Sequence, residues 1–552
     1  TNKMSSVTET DYAPHEMGVP GGELRVKDFY RGKNIFITGT TGFLGKVILE
    51  KIMRTCPDFN KIFLMVRPKK NINLMERVNE TIFSSHCFSV VKRMHGGELP
   101  FHQAFRNRII PIQGDLVSDK LGISEVDREL LKNEVDIIIN SAASVNFNDP
   151  LQDAIRINYY GATRILELAK ECKKLEVMTH VSTAYVNCCM KGYIDEEIYD
   201  CEADVQGFVK HIMGMSLQDV SAQEDKLLEG FPNTYTFTKN MAEKYILQKK
   251  EHVKVCIWRP AIIACSQQEP LPGWTDSISA AGALTILGGF GILRYLPGKG
   301  DTPLDVIPVD TVSNGLLIAT AHAAQSEKSI HIYNCSSSVQ NPMLTYDYSL
   351  YCKKGFRYLG LNQRSMDNID LLWVDNPLEY KLRVKMHFGL PVKMMGLAAR
   401  LPYFGTEQLK KQAKDLKKIE TKFNSSVSVF EFFIFGDWKI ENKKIYKLTD
   451  MLSPEEKAEF QCDIRTVDWY PLIRDYIKGM AIWVLKEDQV SPEHGLIQIM
   501  LKNQAVRTDM HETMFPKPHF IEKNSMEFEK AILNHGRFNN FMQAEALAEE
   551  SK

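Results

Sequence analysis

From Asn34 to Arg54 the chain reads as a short β-branched run (NIFIT), a glycine-rich turn and an amphipathic stretch. The turn, Thr38 to Gly45 (TGTTGFLG), sets Gly39, Gly42 and Gly45 at every third position. A strand that passes into a helix through such a loop belongs to a βαβ unit, and the loop crosses the carboxyl end of a parallel sheet. Glycine lets the backbone turn sharply there and approach a pyrophosphate, whose charge the free N–H groups at the helix N-terminus bind. Gly39, Thr41, Gly42, Phe43, Leu44 and Gly45 are therefore the expected cofactor-binding residues of this loop. In a chain with 33 glycines the spacing alone proves little. The strand before it and the helix after it give it weight.

The alternation continues. β-Branched runs recur at Lys61 to Val66, Arg108 to Gln113, Val135 to Asn140, Val177 to Val181 and Val253 to Trp258, each followed by a helix-like stretch. The expected fold class is α/β, a doubly wound parallel Rossmann sheet with both faces covered by helices. After Asp305 to Asp310 (DVIPVD) and a helix beginning near Thr311, strand signals fade around residue 345. Apolar residues then recur at helical spacing to about residue 490, which predicts a second, mainly helical C-terminal domain. At 552 residues the chain is too long for a single growing core. The expected organisation is a loose tail over 1–25, a nucleotide-binding domain over 26–345, the helical domain over 346–490 and an extension over 491–552.

The choice of dinucleotide is made at the end of the second strand, where a carboxylate accepts a free ribose 2′-OH and a cation accepts a 2′-phosphate. Here Val66 is followed by Arg67, with Lys69 and Lys70 close behind, so NADPH is expected; a solvated cluster of surface charge would read the same. The third strand leads into Gly114-Asp115-Leu116, where the carboxylate could accept from the adenine amino group. The fourth leads into Ser141-Ala142-Ala143, small enough for a cofactor to lie against the backbone.

The fifth strand ends in His180-Val-Ser182-Thr183-Ala-Tyr185, and Tyr235 and Lys239 follow in PNTYTFTK. A four-residue spacing places Tyr235 and Lys239 one helical turn apart. An ammonium so placed is expected to favour the phenolate and lower the tyrosine pKa, making Tyr235 a general acid. His180 reads as a core or edge histidine, and no H-E-x-x-H or other metal-ligand spacing occurs.

Glycine loop, strand-end Ser-Thr pair and Y-x-x-x-K, in that order, resemble the extended short-chain dehydrogenases. The resemblance implies that Thr183 hydrogen-bonds a substrate carbonyl, Tyr235 protonates it, and Lys239 holds the nicotinamide ribose; Ser182 and Thr183 are hard to separate. Whole phrases narrow it: EVDIIINSAASVNF, HVSTAYVN, PNTYTFTKNMAE, WRPAIIACSQQEPLPGWTD and DVIPVDTV are similar to those of eukaryotic fatty acyl-CoA reductases, over residues 26 to 345. A looser likeness to that family's male-sterility domain runs from Phe435-Gly-Asp-Trp438 and Leu452-Ser-Pro-Glu-Glu through Asp463-Ile-Arg and Asp468-Trp469 to about Trp483. The family implies reduction of a long-chain acyl-CoA by two NADPH to a primary alcohol, for wax ester or ether lipid synthesis. A sugar-nucleotide enzyme shares the loop and the Y-x-x-x-K but not EPLPGWTD, and an NADPH-binding protein without turnover would not need an intact Thr183, Tyr235 and Lys239.

Net charge is −1, which gives no reason to expect nucleic-acid binding. Eleven cysteines with no C-x-x-C pair point to a reducing, intracellular compartment. The uncharged stretch Ser277 to Leu293 is too rich in glycine for a membrane span and reads equally as acyl-chain lining or core packing. Many animal members of the family carry C-terminal membrane spans, and none reads after Trp483. Residues 380 to 418 set Lys381, Arg383, Lys385, Lys393, Arg400, Lys410, Lys411, Lys414, Lys417 and Lys418 against Glu407 and Asp415. That stretch predicts peripheral contact with anionic membrane, or a solvated helix face, or cations that receive CoA phosphates. Val429 to Phe435 (VFEFFIF) reads as core, with insertion into a membrane as the alternative. By family, the address is the cytosolic face of the endoplasmic reticulum or peroxisome, peripheral rather than integral.

Overall fold

The apolar runs of the N-terminal half assemble into one parallel sheet in the computed structural model, which describes residues 23–277, 281–289, 294–359, 372–400, 436 and 438–486, with parts of 406–417. Its strands are β1 (Asn34–Thr38), β2 (Lys61–Val66), β3 (Ile109–Gln113), β4 (Ile137–Asn140), β5 (Val177–Val181), β6 (Val255–Pro260) and β7 (Ile330–Cys335). They lie side by side in the order β7-β6-β5-β4-β1-β2-β3. Ile35 of β1 is level with Ile62 on one side and Ile137 on the other. Every residue of β1, β4, β5 and β6 is buried, which is why these strands read as continuous apolar runs rather than alternating ones.

Helices cover both faces. Ile35 and Ile37 point toward α1 (Phe43–Thr55) and α4 (Val309–Gln325), sharing a core with Val47, Ile48, Leu316 and Leu317. Phe36 and Ile138 point the other way, into a core with Ile165 of α2 (Tyr160–Glu171) and Ala242 and Ile246 of α3 (Thr234–Lys249). The strand order reverses between β1 and β4, and a crevice opens outside their carboxyl ends.

Beyond residue 345 the described chain is mainly helical. Helix α5 (Thr345–Tyr358) packs on α6 (Trp469–Gly479), close enough that a Cβ on Gly355 would stand 2.6 Å from Ile477. Two short strands reach back: Trp438–Ile440 pairs in parallel with Gly192–Ile194, and Leu372–Val374 with Tyr295–Pro297. Glu456 accepts from the backbone N–H of Val26 (3.0 Å) and Lys27 (2.8 Å), so a carboxylate near the end of the described chain caps its first helix, Val26–Tyr30.

Two differences from expectation have physical causes. Strand β7 is unannounced because it is an edge strand, with Ile330 to Ile332 only partly buried and polar residues interspersed. The run Asp305 to Asp310 does not join the sheet; Val306–Pro308 pairs with Ile262–Ala264 beyond the end of β6. Within Ser277 to Leu293, the described helix Ala281–Gly289 uses its glycines for packing: a Cβ on Gly289 would overlap the Phe356 ring at 1.9 Å, and one on Gly282 would crowd the Tyr476 hydroxyl at 2.9 Å. Val429 to Phe435, Asp415, Lys418, the first 22 residues and the extension over 491–552 lie outside the described residues. No described helix is long and apolar enough to cross a membrane.

Candidate active site

The ends of β1 and β4 are stitched together by side chains. Thr38 Oγ1 donates to Asn140 Oδ1 (2.7 Å) and accepts from the N–H of Ala142 (3.1 Å). This holds the loop after β1 so close to Ser141-Ala142 that Gly39, at φ +82°, has no room for a side chain; a Cβ would lie 2.7 Å from the Ala142 nitrogen. A Cβ on Gly45 would lie 2.2 Å from the Gly39 carbonyl oxygen, so the third glycine seats α1 against the strand. Gly42 caps α1 with no side chain across its end. The first N–H groups of the helix are left for a ligand's anion, which is the fit a pyrophosphate requires.

A cleft of about 920 Å³ opens above these strand ends. Its walls include Gly39, Thr41, Gly42, Phe43, Leu44, Gly45, Arg67, Leu116, Ala142, Thr183, Tyr235 and Lys239. The exception among the expected residues is Asp115. It stands beside the wall, 3.5 Å from Arg67 Nε, and accepts from the N–H of Val117 (3.3 Å). At that end of the cleft sequence reasoning missed Arg77, which lines it from the short helix Leu74–Val78. Its Nε is buried and finds no hydrogen-bond partner among the described residues, whereas Arg67 is more than half exposed. Nothing in the local sequence marks Arg77; the fold turns it toward the cleft.

At the other end, Thr183 leaves β5 in extended conformation and starts a tight turn, its Oγ1 accepting from the N–H of Tyr185 (3.3 Å). Asn233 caps α3 through the N–H of Thr236 (2.9 Å), which sets Tyr235 in the first turn and Lys239 one turn on. Lys239 Nζ donates to the carbonyl of Val181 (2.7 Å). Tyr235 opens on the cleft beside Phe147, ring centroids 5.5 Å apart. Burial pushes the Tyr235 hydroxyl up to about 12, only partly offset by a hydrogen bond with Thr183. The direction is opposite to the lowering expected from Lys239: burial raises the Tyr235 pKa, and the Lys239 ammonium is turned toward a backbone carbonyl. Burial also brings Lys239 down to about 8, with Glu243 opposing.

Below these residues lies a pair the sequence reading passed over. Arg259, at the end of β6, binds Glu243 through Nη2 (2.5 Å), both 1% exposed, and so pins α3 to the sheet one turn beyond Lys239. His180 faces Asn140, with Nδ1 3.2 Å from Nδ2; burial holds the ring well below its usual pKa, hence neutral. From the C-terminal part, the Trp438 indole N–H donates to the carbonyls of Cys188 (3.2 Å) and Met190 (3.0 Å), and its ring stacks edge-on against Tyr185. The turn that follows Thr183 is thus buttressed from the far end of the chain.

Residues 37–316 match the nucleotide-binding part of a family described as male sterility protein, and residues 395–487 match its second part, described in the same words. Fatty acyl-CoA reductase 1 of Rattus norvegicus is 33% identical over 464 residues, covering 84% of this chain and 87% of that protein. The chain belongs to the fatty acyl-CoA reductase family. The human fatty acyl-CoA reductases 1 and 2 are each 32% identical, over 84% and 83% of this chain and 87% and 86% of their own lengths. Among solved structures, the terminal R domain of the myxalamid PKS-NRPS pathway superposes with a TM-score of 0.50 at 19% identity, over 85% of this chain and 95% of that one. The reductase domain of a non-ribosomal peptide synthetase from Mycobacterium tuberculosis does so at 0.51 and 16%, over 82% and 92%. These two share the fold with this fatty acyl-CoA reductase family member. The family's nucleotide-binding part and the cleft agree on a site for a nicotinamide cofactor.

Proposed function

We propose that this chain reduces a long-chain acyl-CoA to the primary alcohol, using two NADPH, as a step toward wax esters or ether lipids. The observation that carries the reading is the convergence of Thr183, Tyr235 and Lys239 with the glycine loop around one cleft, in a chain of this family. NADPH, when bound, supplies hydride to the carbonyl carbon. Gly39 to Gly45 and the N-terminus of α1 would hold its pyrophosphate against Ala142, and Asp115 and Leu116 would meet the adenine. Arg67 and Arg77 would receive the 2′-phosphate; the buried Arg77 Nε, without a hydrogen-bond partner among the described residues, supports that choice over NADH.

Thr183 donates to the thioester carbonyl oxygen and Tyr235 gives it a proton as negative charge develops there. A pKa near 12 keeps Tyr235 protonated at neutral pH, which suits a reductase, whose tyrosine must start as the acid. Lys239 leaves the Val181 carbonyl for the nicotinamide ribose and sets the field in which Tyr235 ionises. The hemithioacetal then returns its proton to Tyr235 as CoA departs, leaving an aldehyde for a second reduction by the same residues. Peripheral contact with anionic membrane, on the cytosolic face of the endoplasmic reticulum or peroxisome, completes the reading; the basic stretch from Lys381 onward supports it.

The test is turnover of the purified chain with C14 to C18 acyl-CoAs, NADPH against NADH, with products identified by mass spectrometry. Alcohol formed with NADPH is expected, and Tyr235→Phe should cut kcat by about 10²- to 10⁴-fold, the range of general acid catalysis. Aldehyde as sole product would reduce the reaction to one hydride step; cofactor binding without any acyl-CoA turnover would sink the substrate assignment.

A further inference from the structure

Leu378, Leu382, Met386, Leu390, Met394 and Leu397 form an apolar row on a rod of consecutive helical segments, Pro377–Val384, Lys385–Gly389 and Leu390–Ala398. All six face solvent, at 78, 57, 56, 50, 62 and 64% exposure. Single exposed leucines need no explanation, whereas a contiguous row does.

The local chemistry explains how the row stays on one side. Asn376 caps the rod through the N–H groups of Leu378 (2.9 Å) and Glu379 (3.2 Å), and Pro377 opens its first turn. In a plain α-helix a four-residue step overshoots the turn of 3.6 residues by about 40°, so the row would wind around the rod within a few steps. The middle segment, Lys385–Gly389, is a wide π-type turn that takes up part of this drift. Pro391, two residues later, has no N–H to give an α-helical partner, and this favours the wider turn.

The rod's other side is already engaged. Tyr295 receives the Arg383 guanidinium over its ring at 5.6 Å and His387 Nε2 at 3.4 Å from its hydroxyl, while Val392 and Ala399 are buried. The rod is held in orientation, with the apolar row outward.

Charge decides what covers the row. Between 377 and 400, Lys381, Arg383, Lys385, Lys393 and Arg400 stand against Glu379 alone, and Glu379 is occupied by Arg383 (2.6 Å). Lys381, Lys385, Lys393 and Arg400 are exposed and have no carboxylate partner among the described residues. Long aliphatic stems let such cations reach phosphate headgroups while the leucines and methionines sink below them. The row holds no Trp or Tyr, the residues on which protein interfaces concentrate their energy.

We infer that the rod Pro377–Ala398 is an interfacial helix that lies flat in an anionic lipid leaflet, with Leu378 to Leu397 immersed and the flanking cations at headgroup level. At about 1.5 Å per residue it would present an edge of roughly 33 Å. The inference rests on the membrane reading above and adds the surface responsible for it. The rod rests on Tyr295, whose strand Tyr295–Pro297 also pairs with Leu372–Val374 just before the rod.

Flotation of the full chain with phosphatidylcholine vesicles, with and without phosphatidylserine, tests this. The chain should float with the anionic vesicles alone. Leu382→Glu/Met386→Glu/Met394→Glu should abolish flotation, and each of Lys381→Gln, Lys385→Gln and Lys393→Gln should lower the partition coefficient about fivefold. All these positions are exposed, so cofactor affinity and turnover of a short, water-soluble acyl-CoA should be unchanged, which separates a docking defect from misfolding. If the triple variant floats like the parent, the membrane reading survives but this surface is wrong. If the parent does not float at all, both fail. If the parent instead self-associates in light scattering and the glutamates abolish that, the row is a protein interface and the lipid assignment is overturned.

Discussion

Lys239 carries the sharpest consequence of burial at the scale of single residues. Its ammonium is brought from an ordinary 10.5 down to about 8. Between those two values the unfolded chain holds a proton that the folded chain has lost, so this group's contribution to stability rises with pH across the window. Catalysis should move the opposite way. If the ammonium holds the ribose, kcat/KM of the free enzyme should fall on the alkaline side with an apparent pKa near 8, while a melting series shows no parallel loss. A flat profile from pH 7 to 9 would sink the role given to Lys239. Arg77 offers a second residue-scale test. Arg77→Ala should raise KM for NADPH roughly ten- to hundredfold, the worth of hydrogen bonds to a charged group, and leave KM for NADH nearly unchanged. Equal effects on both cofactors would place Arg77 outside the 2′-phosphate site. The two cases also mark the limits of reading residues from sequence. Tyr235 and Lys239 are four positions apart, and their adjacency follows from helix geometry alone; Arg77 shares the cleft with Arg67 only because a short helix folds back after β2.

Among elements, α3 has to hold two working side chains at a fixed height above the sheet, and the Glu243–Arg259 pair is what fixes it. Both groups are 1% exposed, so removing one leaves a charge stranded in the interior. Glu243→Gln should cost about 3–5 kcal/mol in denaturant unfolding, the usual penalty for breaking a buried pair from one side. The double change Glu243→Leu/Arg259→Met should recover much of that loss, since it strands neither charge. If Glu243→Gln unfolds with the parent, the pair is not what anchors α3. The elements themselves were readable wherever both faces are buried, as in β1, β4, β5 and β6, because burial writes an unbroken apolar run. β7 escaped because an edge strand needs no such run, and Val306–Pro308 misled because its apolar residues serve a two-stranded pair outside the main sheet.

On the scale of the whole molecule, what was legible is what is local: the glycine loop, the strand-end Ser-Thr pair and the helical content after residue 345. What was not legible depends on residues far apart in sequence, such as Trp438 beneath the turn after Thr183 and Glu456 at the head of Val26–Tyr30. No pattern in either segment announces its partner, since pairing across hundreds of residues is a property of topology and not of spacing. Trp438–Ile440 lies alongside Gly192–Ile194, so the turn that presents Thr183 gains its buttress only once residue 440 has been made. During synthesis on a ribosome, that turn would go without its brace until the C-terminal part had emerged.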